Sequence, residues 1–177
     1  MTANTLYLVA FFAISDDALI SELALEKKQS NDAYTALLNR GVEAFPALLE
    51  RMSDKTITQN PRFQGESLMK DADGNWVLAK PTIGHVAFDL IHGQIEGTWP
   101  KGGLRKHYAI TRTSVKEWLT RHKGAEIRRL RLLAATESLT SIAHDIADQG
   151  FTQGNQNCLE FLTSRFRAAS IEMERAN

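Results

Sequence analysis

His85, Asp89, His92 and Glu96 recur at i, i+4, i+7 and i+11, so on a helix they share one face. Imidazole and carboxylate are metal-ligand types, and a metal-dependent hydrolase would use such a face. His85 and His92 are two turns apart, about 10 Å, too far to share one ion without a third element. The face also lies opposite the apolar stripe of Ile83, Val86 and Leu90, so a solvated face is expected instead. His107, His122 and His144 stand singly and are read as capping, packing or phosphate-contacting residues. Cys158 falls on an apolar helix face and reads as an inert core thiol. No nucleophile elbow, phosphate-cradling loop, paired-carboxylate motif or nucleotide fingerprint occurs. No catalytic residue, metal or cofactor is therefore expected, and the chain is not read as an enzyme.

Charge is the more informative signal. The 177 residues hold 21 Lys plus Arg and 21 Asp plus Glu, for a net of zero. Residues 1–99 carry 8 basic and 13 acidic residues, and residues 132–177 carry 3 and 6. Between them, residues 100–131 carry 10 basic residues and 2 acidic ones, a local net of +8. A basic island between acidic flanks is the footprint of a polyanion site. The alternative is a solvated helix face that pairs with those flanks.

Inside the island the chain reads GGLRKHYAITRTSVKEWLTRHKG. Leu104, Tyr108 and Ile110, then Val115, Trp118 and Leu119, would face one inner side if a short helix, a turn and a second helix formed here. Thr111 suits an N-cap, so the second helix is expected to begin near Arg112. Residues 101–120 resemble the helix-turn-helix of repressors and transposases, in which the second helix enters the major groove. The match is carried by YAITRTSVKEWL. Arg105 stands where the family prefers a small residue, and Ala109 where it prefers Gly. The resemblance implies that Arg112, Thr113, Lys116, Glu117 and Thr120 line the groove side. Arg112 would fork onto guanine and Glu117 would accept from cytosine. Lys101, Arg105, Lys106 and Arg121 would lie near phosphates. If about five to eight of the island's ten basic residues meet phosphates, the log–log salt slope is expected to be roughly −5 to −7. A fainter resemblance, of Ile142, Ala143, Gly150 and Phe151 to a helix-turn segment of large serine recombinases, falls in a net acidic stretch. A capped amphipathic helix explains that stretch better.

The elements that must position these residues are mainly helical. Ser15 caps a first helix with Asp16 and Asp17 in its first turn. A second helix is expected from Ser30 to Arg40, stopped by Gly41, and a third after Pro46. Residues 66–70 and 75–79 flank Asp71-Ala72-Asp73-Gly74, a β-hairpin signal. That turn lacks the closing Glu of a calcium loop. Helices are then expected over 82–96, 102–135 as one helix or a pair, and 139–149. Gly150 stops the last of these, with Phe151 making a contact after the cap, and a final helix bears Cys158, Leu159, Leu162 and Phe166.

Apolar residues make up 43% and charged residues 24%, globular values that argue against wholesale disorder. One cysteine excludes an internal disulfide framework. Leu6–Ile14, nine apolar residues, is too short to span a membrane and lacks a positive leader, so it reads as a core strand or buried helix. The expected architecture is mainly α with a small β-hairpin or sheet, in a compact helical domain containing a helix-turn-helix. It divides into an acidic N-terminal module with the hairpin (1–80) and a helical DNA-binding-like region (81–177), which could form one continuous domain. The expected function is a cytoplasmic, sequence-specific duplex-DNA-binding regulator of transcription, of plasmid or phage type. The acidic module would serve dimerisation (a homodimer) or partner binding. The rival reading is an adaptor whose basic face docks an acidic protein.

Overall fold

The structure, a computed structural model, describes residues 14–61, 63, 68–70, 76–99 and 105–174. The chain is mainly helical. Helix α1 (Asp16–Glu22) starts where the Ser15 hydroxyl accepts the Ala18 amide at 3.2 Å, with Asp16 and Asp17 in its first turn. Helix α2 (Lys27–Arg40) begins before the cap expected at Ser30. Ser30 is buried, and its hydroxyl donates to the Leu23 carbonyl at 3.0 Å, closing the end of α1 instead. Gly41, at φ +60°, ends α2. A 3-10 turn (Gly41–Ala44) leads into α3 (Phe45–Glu50), whose first turn carries Pro46.

Two short strands, β1 (Leu68–Lys70) and β2 (Trp76–Leu78), pair antiparallel with Leu68 opposite Leu78. The turn expected at 71–74 lies outside the described residues, as do residues 1–13 of the apolar start. Ile14 itself is largely exposed.

Helix α4 (Ile83–Ile95) is the hub. The Thr82 side chain accepts the His85 amide while the His85 ring accepts the Thr82 amide at 3.3 Å, a reciprocal cap. Ile83, Val86, Ala87, Leu90, Ile91 and Ile95 are all buried. That is wider than one stripe, because α1, α2 and α3 cover one side of α4 and α6 another. Gly84 permits the closest of these approaches. A Cβ there would lie 2.3 Å from the Met52 carbonyl oxygen. Gly84→Ala is therefore expected to cost about 1–3 kcal/mol through overpacking, against the ~1 kcal/mol that alanine gains in a helix. Denaturant unfolding checks this, and a stabilised variant would contradict the close crossing.

The expected helices over 102–135 and 139–149 are redistributed. Arg105–His107 is a single 3-10 turn, α5 covers Val115–Arg121, and α6 runs without a break from Ile127 to Gln149. The polar stretch Thr136–Ser138 does not interrupt α6. The Thr136 hydroxyl returns to the Leu132 carbonyl at 2.8 Å, and the apolar face continues through Ala134, Ala135 and Ile142. Gly150, at φ +82°, turns the chain into α7 (Gln153–Glu174), which packs back on α6. Phe151 does not make the expected contact after the cap and is exposed. Cys158 is fully buried, with Trp99, Ile142 and Leu162, in a second core between α6 and α7. The first core joins Leu19, Leu37 and Leu48 to Leu90, Trp118 and Leu130, so it crosses the boundary drawn at residue 80. Among the described residues no helix is long and apolar enough to cross a membrane.

Candidate nucleic-acid interface

Helix α5 is oriented by two anchors. Val115 and Trp118 are fully buried. The Trp118 indole N–H donates to Glu137 Oε2 at 2.9 Å, and its ring meets His122 edge-on, centroids 4.5 Å apart. Lys116, Glu117, Thr120 and Arg121 consequently face solvent. Thr113 is exposed in the turn before them. This brings five of the nine sequence-selected residues to one side of a short helix and its lead-in.

The lead-in differs from the expected one. The helix begins after Ser114, not near Arg112. The Thr111 amide donates to the Ser114 hydroxyl at 2.9 Å, and the Ser114 amide donates to the Thr111 hydroxyl at 3.2 Å. The two side chains satisfy each other's backbone N–H in a reciprocal cap, so Thr111 is the N-cap residue expected, although the turn it caps (112–114) precedes the continuous helix. What precedes that turn is one turn of 3-10 helix, not an α-helix. Lys101 and the Arg105 side chain lie outside the described residues.

Part of the basic island is engaged within the fold. Arg112 Nη2 donates to the Met52 carbonyl at 2.6 Å, just past the end of α3. Arg131 Nε donates to the Gln94 carbonyl in the last turn of α4 at 2.9 Å. Lys106 pairs with Asp145. By contrast, Lys116, Arg121, Lys123 and Arg129 are exposed and make no ion pair among the described residues.

The His85 face does not stay together as a solvated face. His85 is exposed and occupied with the α4 cap. His92 is half-buried, its ring 5.4 Å from Phe88 and 4.9 Å from Tyr108. Glu96 is only 4% exposed. Its Oε1 accepts the Ile110 amide at 2.7 Å and its Oε2 accepts the Trp99 indole N–H at 3.0 Å. Burial pushes its pKa up to about 7, against the lowering effect of those donors and of Arg165. The expectation of solvation thus fails toward the C-terminal end of α4, where the chain doubles back and Trp99 and Ile110 close over the carboxyl. No group of three or more His, Cys, Asp or Glu among the described residues could hold a metal ion.

A second buried polar cluster has no sequence signature, because its members are remote in the chain. His107 is 1% exposed, with Nδ1 2.9 Å from Ser141 Oγ and Nε2 3.5 Å from Asp145 Oδ2. Asn155 Nδ2 also donates to Asp145 at 3.0 Å. Burial lowers the His107 pKa, and the Lys106 hydrogen bond holds Asp145 below the usual carboxylate range. Ser, His and Asp are the types of a hydrolase triad. Here Ser141 and Asp145 sit one turn apart in an unbroken helix, whose backbone N–H groups are spent on its own carbonyls rather than on an oxyanion. The cluster fastens the 105–107 turn to α6 and α7.

Beside α5 lies an apolar groove of about 570 Å³, lined by Phe45, Leu49, Leu119, Ala125 and Leu130, with Lys123 among its polar residues. No family model, no curated protein and no solved structure matches this chain.

Proposed function

We propose that the chain binds duplex DNA through the outward face of α5 and the basic residues that follow it, as a sequence-specific regulator. The observation that supports this is the set of exposed cations Lys116, Arg121, Lys123 and Arg129, which no carboxylate among the described residues neutralises. Val115 and Trp118 hold the helix rigidly beneath them. In this reading α5 plays the part of the second helix of a helix-turn-helix. Lys116, Glu117 and Thr120 are the candidate base readers, with Thr113 at the start. Arg112 stays among the candidate base readers, exposed just ahead of α5, with one of its donors given to the Met52 carbonyl.

Four phosphate contacts give a log–log salt slope of about −4 on B-DNA, shallower than the island's full charge implies. Mobility shift at two salt concentrations measures it. Replacing Lys116 and Arg121 together by alanine is expected to reduce the slope by about 2. A slope near zero, or no shift at ~50 mM salt, removes the DNA reading. The apolar groove beside Lys123 favours a second reading, an adaptor that docks an acidic protein segment. Salt-insensitive DNA behaviour together with loss of protein capture in Leu119→Asp would favour it.

A further inference from the structure

We propose that the apolar segment Leu6–Ala13 of this same chain docks into the groove between α3 and the corner where α5 meets α6. The proposal is independent of the DNA reading. The groove's volume of about 570 Å³ equals on the order of twenty waters at ~30 Å³ each, so one or two bridging waters do not fill it. Phe45 and Leu49 are i and i+4 on α3 and present one wall. Leu119 of α5, with Ala125 and Leu130 before and within the first turn of α6, presents the other. Gly124, at φ +81°, turns the chain between those two helices. Phe45 and Leu130 are buried, whereas Leu49, Leu119 and Ala125 are half-buried, so the groove is open along its apolar walls. Apolar surface left open to water is unfavourable until something covers it.

Three observations select the occupant. The first is where the described chain begins. The Ile14 carbonyl accepts from the Arg40 guanidinium, which also pairs with Asp16. Arg40 ends α2, and Val42, two residues on, lines the groove. Ile14 therefore stands within one arginine side chain and two residues of the groove wall. It is 53% exposed, so the apolar run leaves α1 at the surface and not through the core. The second observation is length. Eight residues reach ~26 Å when extended and ~12 Å as a helix, so either conformation carries 6–13 from Ile14 along the groove.

The third observation is chemistry. Residues 6–13 read LYLVAFFA, and no charged side chain occurs before Asp16. Among the described lining residues the charges are Lys123 and Glu126, which cancel, so the groove asks for no charge from its occupant. An acidic partner segment would meet Glu126 as well as Lys123. An uncharged apolar segment buries its Leu, Val and Phe side chains without desolvating a charge of its own. Docked there, the segment covers Leu119 from outside and fastens α3 to the start of α6. It also competes with any partner for the groove, so partner binding and release of the segment are one equilibrium.

The test is hydrogen exchange of the full chain, read by mass spectrometry on peptides that cover residues 6–13. In the wild type these amides are expected to exchange about tenfold or more slowly than an unstructured chain of that sequence. Pro46→Asp places a carboxylate on the groove wall. Pro46 is exposed in the first turn of α3, where an acid suits the macrodipole, so this variant keeps the fold. It is expected to lose the protection of residues 6–13 while α4 keeps its own. Phe11→Asp together with Phe12→Asp is expected to speed exchange at residues 122–126. Wild-type exchange of 6–13 at the unstructured rate, or protection unchanged in Pro46→Asp, overturns the proposal. Protection that rises with protein concentration, with a sedimenting dimer that the Phe11 and Phe12 changes abolish, overturns it in favour of the same segment from a second copy. Saturable binding of an acidic amphipathic peptide that is lost in Leu119→Asp, yet leaves the protection of 6–13 unchanged, overturns it in favour of a partner.

Discussion

Trp118→Ala is expected to cost about 3–5 kcal/mol, a large share of the 5–15 kcal/mol that holds a domain together. Trp118 is fully buried in the core that also contains Leu90 and Leu130, so its removal leaves a large cavity under α5. The indole hydrogen bond to Glu137 goes with it, though Glu137 is half-exposed and water can replace the donor. Denaturant unfolding, followed by circular dichroism, measures the loss. A cost below about 1 kcal/mol would mean that α5 is not anchored by this residue. The same variant is expected to lose the α5 face as an ordered surface, so on the proposed DNA-binding reading affinity should fall with stability. Lys116→Ala should lower affinity while leaving stability within about 0.5 kcal/mol.

The second large effect is a dependence on pH. Glu96 has a folded-state pKa near 7, while an unfolded carboxyl titrates near its model value of 4.5. The folded chain therefore binds more protons than the unfolded chain between these values, and stability falls as pH rises. The contribution is full below about pH 4.5 and is lost as pH passes through 7. Its size is about 3 kcal/mol, from 1.36 kcal/mol per pKa unit. The groups around the carboxyl are His92 on its own helix, Arg165 from α7, the Trp99 indole and the Ile110 amide. His107 works in the opposite sense. Its folded pKa is depressed by burial, so its contribution is lost as pH falls below its unfolded value of 6.5. The readout is therefore the difference between the wild-type chain and Glu96→Gln, measured by denaturant unfolding at pH 5 and pH 8. The wild type is expected to lose about 3 kcal/mol relative to the variant across that interval. A constant difference would show that Glu96 keeps an ordinary carboxylate pKa. Because Glu96 holds Ile110, just ahead of the turn that starts α5, the same pH interval should loosen that lead-in.

Local signals were sufficient where the deciding forces are local. Ser15 and Thr82 cap α1 and α4, Gly41 and Gly150 stop α2 and α6, and Pro46 opens α3. Each acts on backbone groups within one turn, so residue type and position suffice to read it. The inward set on α5 was legible for the same reason. Val115 and Trp118 are three residues apart, and no other arrangement of a short helix buries both and exposes Lys116 and Arg121.

Other readings depended on which distant segments came to cover a residue. Ser30 has the side chain of an N-cap, yet it bonds to Leu23 because α1 ends beside it. Arg112 is exposed as its position predicts, and only the crossing of α3 and α4 reveals that it also donates to the Met52 carbonyl. Thr136–Ser138 looked like an interruption, and packing on both sides kept α6 whole. Glu96 belongs to a helix face that reads as solvated, and it is buried because Trp99 and Ile110 fold over it. The His107, Ser141 and Asp145 cluster and the groove between α3 and α5 join residues dozens of positions apart. The amino-acid sequence alone determined the helical character, the main caps and stops, the basic island and the orientation of α5, since these follow from side-chain type and spacing along one element. Only the tertiary structure decided which charges of that island remain available and which carboxyl is desolvated, because hydrogen bonding and burial depend on neighbours that sequence separation does not reveal.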